Sequence, residues 1–109
     1  MIKMRQFRLP YDLVVMDLEA NQPSSKIIEI GAVKLLRDGG IHPDRFSVLV
    51  KIDEELGSCD TREGTKTITE LTGITQEMLD KDGLPFPEAL EKFHKWAYRE
   101  TTNIILASW

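Results

Sequence analysis

Asp17 and Glu19 stand two residues apart at the end of an apolar run, Leu13-Val14-Val15-Met16. If that run is a strand, alternation turns both carboxylates toward one face and holds two like charges close together. Beside an apolar strand each carboxylate would lose hydration, and their repulsion would raise one pKa unless a cation came between them. A divalent ion resolves the conflict. Magnesium and manganese take hard oxygen ligands, and one or two carboxylates with water and a substrate phosphate form their usual set in phosphoryl-transfer sites. The bland alternative is a strand that ends at Met16, with both acids facing water at the start of a loop.

Two rival settings for an acidic strand end fail on what surrounds it. Asp12 to Asp17 is similar to the strand that carries a phosphorylated aspartate in receiver domains, yet the segment before Tyr11 is too short for the strand and helix that would complete such a site. It is similar too to the acidic strand of nucleotide hydrolases, but no Gly-x-x-x-x-Gly-Lys loop exists to hold phosphates. Other chemically able residues carry weaker signals. Glu29 reads equally well as a solvated strand residue or as a group near the metals. His42 lies in a hairpin turn and His94 on the polar side of a helix, so both read as surface residues.

The elements that must position the acids follow from pattern. Tyr11 to Leu18 reads as a central strand, since both of its faces are apolar. The turn formers Asn21 to Ser25 lead into a second strand, Lys26 to Leu36, and Arg37-Asp38-Gly39-Gly40 closes a hairpin onto a third, Arg45 to Ile52. These three make an antiparallel meander. Asp53 to Lys66 is polar and aperiodic and reads as a surface loop. Thr67 and Glu70 match a capping box, Gly73 supplies a left-handed stop, and Thr75 caps a second short helix through Met78 and Leu79. From Pro87 to Arg99 the apolar residues Ala89, Leu90, Phe93, Trp96 and Ala97 recur at helical steps, with acids early and bases late. Asn103 to Trp109 is a last strand, apolar on both faces, with no later segment to cover one of them; the chain reads as truncated.

Bulk properties set the limits. The chain of 109 residues, 41% hydrophobic, can bury one modest core, so one domain is expected over residues 1–109. Eighteen acidic against fourteen basic residues give a formal charge of -4, so nucleic acid would have to be held by local contacts or bound cations. The single cysteine, Cys59, excludes an internal disulfide and suits a reducing compartment. No stretch reaches membrane-span length and Met1 to Pro10 lacks the apolar block of a secretion signal, which points to the cytoplasm and away from membrane partners.

Three segments together carry a family resemblance. Val14-Val15-Met16-Asp17-Leu18-Glu19-Ala20, then Ile27-Ile28-Glu29-Ile30-Gly31-Ala32-Val33, then Leu71-Thr72-Gly73-Ile74-Thr75 resembles the DEDD-type 3′-to-5′ exonucleases, which include proofreading subunits of bacterial replicative polymerases and RNA-trimming enzymes. The resemblance runs from Tyr11 to Trp109 and covers the first half of such a domain. It implies an α/β ribonuclease H-like mixed sheet: strands one to three antiparallel, a helical crossover from Thr67 to Arg99, and a fourth strand parallel to the first. It implies two magnesium or manganese ions, with Asp17 shared by both and Glu19 a ligand of one. It also implies that the backbone around Leu18, Ala20 and Asn21 lies beside the terminal nucleotide, while Leu71, Thr72 and Gly73 hold its sugar and base. The substrate would be a single-stranded 3′ end of RNA or DNA. Ala20-Asn21, in place of the threonine-rich pair of DNA-proofreading members, leans toward RNA.

The family's remaining acids and its general base follow a strand like Ile104 to Trp109 and do not occur in these residues. The expectation is therefore an exonuclease in the intact parent protein, with this stretch inactive alone. From another class, the competing expectation is a metal-free nucleic-acid-binding or regulatory module on the same fold. An uncovered last strand would also favour self-association.

Overall fold

The computed structural model describes residues 10–100 and 104–108. Strand β1, Asp12–Ala20, pairs antiparallel with β2, Ile27–Leu35, and β2 pairs antiparallel with β3, Phe46–Leu49. Strand β6, Ile104–Ser108, lies parallel to β1 on its other side, giving the order β3-β2-β1-β6. This is the expected mixed sheet, with β1 central. Asn103 and Trp109, expected within the last strand, fall outside the described residues.

Boundaries differ from expectation where pairing partners decide them. β1 runs two residues beyond Leu18 because Glu19 and Ala20 find partners in Glu29 and Ile27. β3 is shorter than Arg45 to Ile52, since its ladder with β2 covers only Phe46 to Leu49. The segment expected to be a featureless loop instead holds a hairpin, β4 (Ser58–Thr61) and β5 (Gly64–Thr67). Its period is hidden because polar groups hold it: Thr65 Oγ1 donates to Asp60 at 2.8 Å and Thr61 Oγ1 to the Gly64 carbonyl at 2.7 Å. With most of its side chains in water, no apolar alternation is required.

The helices follow their caps. Thr67 and Glu70 form the reciprocal capping box of α1, Ile68–Thr72, and Gly73 ends it at φ +80°, where a side chain would be strained. Thr75 caps α2, Gln76–Asp82. α3, Phe86–Ala97, starts one residue before Pro87 and ends before Arg99. No described helix is long and apolar enough to cross a membrane.

Alternation sorts the sheet into two faces. Ile30, Ala32 and Lys34 of β2, with Val14 of β1, are buried against Ala89, Phe93, Trp96 and Ala97 of α3. Phe46 packs its ring edge-on to Phe93, 5.6 Å between centroids at 70°, and lies 5.5 Å from Trp96. Lys34 is 1% exposed, an unusual place for a lysine. Its stem fills the core while Nζ donates to the Trp96 carbonyl at 3.3 Å and sits 4.9 Å from the Trp96 ring. The cation thereby meets both the negative end of α3 and a π face. A second cluster, Ile28, Ile68, Ile74 and Leu79, joins α1 and α2 to the start of β2 and to Leu49 of β3.

Candidate metal centre

Each row of side chains across the sheet's other face follows from the register. Glu19 lies opposite Glu29, which lies opposite Leu49; the next row is Asp17, Gly31 and Ser47. Asp17 and Glu19 are therefore both inside the ladder and on one face, with Glu29 directly across from Glu19. The bland alternative of a strand ending at Met16 does not hold. Asp17 is exposed and Glu19 half-buried.

The electrostatics are those of an uncompensated acidic row. Burial pushes the Glu19 carboxyl above its ordinary range, and the charges of Asp17 and Glu29 push it the same way. Among the described residues neither Asp17 nor Glu19 has an ion-pair partner. Ser47 Oγ donates to Glu29 at 3.3 Å. Gly31, lacking a side chain, leaves a groove of about 390 Å³ beside Asp17, with Ser47 and Arg45 on its far side. Among the described residues no three metal-ligating side chains converge.

The turn behind the pair is fixed by Asn21, 1% exposed. Its Nδ2 donates to Glu54 at 2.6 Å and to the Glu55 carbonyl at 3.1 Å, and its Oδ1 accepts from the Gly57 amide at 2.8 Å. Its own amide donates to the Lys26 carbonyl and its carbonyl accepts from Ser25. Every polar group of Asn21 is thus engaged in scaffolding. Gly57 is required there: an added Cβ would collide with the Gln22 carbonyl oxygen. Sequence reading had no means of finding this clamp, because its partners lie more than thirty residues away.

The remaining expected residues lie on α1 and on β1. Leu49, in the row of Glu19 and Glu29, and Ile28 pack with Ile68 and Ile74, on either side of the segment that holds Leu71 to Gly73. Leu71 is 47% exposed and lines a groove with Thr61, Arg62, Glu63 and Lys66 of the β4–β5 hairpin. Thr72 accepts from the Ile74 amide and donates to the Ile68 carbonyl, so its hydroxyl shapes the turn. Leu18 is exposed on the opposite face of β1 from Asp17, and Ala20 is half-buried at the bulge that follows Glu19.

Residues 14–104 match the sequence profile of the RNase_T family, described as exonuclease. The chain belongs to this exonuclease family. Solved structures share its fold, which is ribonuclease H-like. The nuclease domain of 3′hExo, a DEDDh family member bound to rAMP, superposes with a TM-score of 0.67 at 24% identity, over 93% of this chain and 53% of that one. Cell-death related nuclease 4 gives 0.66 at 21%, over 98% and 36%. A 3′-exonuclease described in recognition of the histone mRNA stem-loop gives 0.63 at 23%, over 94% and 46%. The chain thus spans about half or less of the length of these nucleases. Among curated proteins, none matches. The donor set suits a hard divalent cation: two carboxylates on one strand, without an ion-pair partner among the described residues, with the Glu19 carboxyl held above its ordinary range.

Proposed function

We propose that this chain supplies the first pair of metal ligands of a 3′-to-5′ exonuclease acting on RNA or DNA ends, with RNA favoured. The observation that carries the reading is the uncompensated pair Asp17 and Glu19, held on one face of a central strand in a chain of the exonuclease family. Asp17, the more exposed, and Glu19 would hold the magnesium or manganese ions. When bound, such ions supply an activated water and stabilise the leaving oxygen. The chain's own part is to aim two oxygens from a rigid strand and to seat the terminal nucleotide. Leu71, Thr72 and Gly73 would hold its sugar and base, beside the backbone at Leu18, Ala20 and Asn21. Water adds to phosphorus, the bond to the 3′ oxygen breaks, and a nucleoside 5′-monophosphate leaves a strand one unit shorter.

A cytoplasmic setting is part of this proposal, and the free thiol of Cys59 suits a reducing compartment. Calorimetry with manganese tests the metal reading. Heat from the unaltered chain that is lost in Asp17→Ala is expected; equal heats from both would remove the metals and leave a binding module on this fold.

A further inference from the structure

The groove of about 390 Å³ on the acidic face has Asp17 at one side and Arg45 at the other. Register explains its shape. Asp17, Gly31 and Ser47 form one row across three strands, and Arg45 stands two residues before Ser47, at the edge of the same face. Gly31 puts no side chain between them, and Val15 and Val33 make part of the lining apolar. Strand geometry sets the backbones of Asp17 and Arg45 about 10 Å apart across the sheet and about 7 Å apart along it. That is the scale of a nucleotide unit, and a guanidinium on its long stem reaches well into the gap.

Arg45 is a cation without a partner. It is exposed and makes no ion pair or side-chain hydrogen bond among the described residues, although Asp17 lines the same groove. Its neighbour in sequence, Asp44, is taken by Arg99 at 2.8 Å. Arg37, by contrast, is held by Asp12, and Lys26 by Asp53 and Glu54. An unpaired surface arginine is ordinary by itself; its place is what matters. Arg45 is the one base of the lining and Asp17 the one acid, so the groove is balanced when empty. A divalent cation on Asp17 would leave it positive.

We infer that Arg45 holds a phosphate of the substrate strand adjacent to the phosphate at the metals, with the sugar between them lying over Val15 and Val33. A guanidinium presents a planar fork that matches two phosphate oxygens, and such a contact fixes the strand without reading its bases. The inference rests on the exonuclease reading and deepens it, since the groove gains its excess charge only when the acids hold their ion.

Fluorescence anisotropy of a labelled octaribonucleotide in manganese, over a range of salt, tests it on the whole chain. Arg45→Gln is expected to weaken binding about fivefold and to flatten the log-log salt slope by about 0.7, equally for oligo-A and oligo-U, while Arg45→Lys keeps the slope. Because Arg45 bonds to nothing in the fold, circular dichroism should not change. Lys92→Gln, an exposed lysine of α3 across the sheet, should leave both affinity and slope as they are. Equal slopes in the unaltered chain and Arg45→Gln, an equal loss in Lys92→Gln, or no oligonucleotide binding in manganese would each overturn the contact. Manganese heats keep the two readings apart. Heat from the unaltered chain with an unchanged slope in Arg45→Gln would strike the phosphate contact alone; no heat from the unaltered chain would strike the metals, and the contact with them.

Discussion

Glu19 carries a cost that its neighbours impose. Its carboxyl titrates above the ordinary 4.5, so folding favours the protonated form. Well below that value the group is protonated whether folded or not, and no cost arises. As pH rises from about 4.5 through the raised value, the folded state must give up a proton that it binds more tightly than the unfolded chain does, and stability falls. Glu19→Gln should therefore be more stable than the parent in chelator at neutral pH, by less than about 1 kcal/mol for a half-exposed group. The gap should close near pH 3 in urea titrations; a gap that widens there would refute the assignment. Manganese should reverse the order, since only the parent gains from the ion. Asn21 makes the opposite contribution. Asn21→Ala takes away the side-chain partner of the Gly57 amide and the Glu55 carbonyl, while Glu54 keeps Lys26, and a loss of about 2 to 3 kcal/mol is expected by the same titration.

Among the elements, α3 and β2 are joined through Lys34. Lys34→Ala should cost about 2 to 4 kcal/mol, because it empties the space beneath Trp96 and removes the bond to its carbonyl. Lys34→Met keeps the volume and discards a buried charge, so its cost should be under about 1.5 kcal/mol. Equal losses in thermal melts would show that charge rather than packing matters there. These elements differ in how legible they were. α1 and α2 announced themselves through Thr67, Glu70, Gly73 and Thr75, whose chemistry is local. α3 was written in its apolar spacing. The β4–β5 hairpin was not, since hydroxyl and carboxylate side chains hold it and only Cys59 packs against the core. Lys34 would be placed outside by any composition rule, and only the end of α3 explains it.

At the scale of the whole chain, the acids were legible as a pair and their strand as central, because alternation alone aims side chains two apart to one side. The structure adds their third neighbour, Glu29, through a register that no single strand reveals. On the proposed reading Asp17 and Glu19 are one pair of acids of a larger metal-binding set, so the chain by itself is expected to release no mononucleotide from a labelled RNA in manganese. Metal-dependent release that survives in Asp17→Ala would implicate a contaminant; release abolished by that change would refute the expectation. One edge of β6 carries no strand among the described residues, and Ile105 and Leu106 are exposed on it. Association of copies through this edge should appear in sedimentation velocity as concentration-dependent growth, and a monomer throughout would count against it.

The pairing of β1 with β2 makes core packing and the aim of the two acids a single choice. Shifting one strand by a residue would turn Asp17 and Glu19 inward beneath Phe93 and Trp96 and send Val14 out to water. A chain folded in the wrong frame would therefore be unstable before it could be inactive. Any change that loosens the aromatic layer should blunt manganese capture without touching either acid.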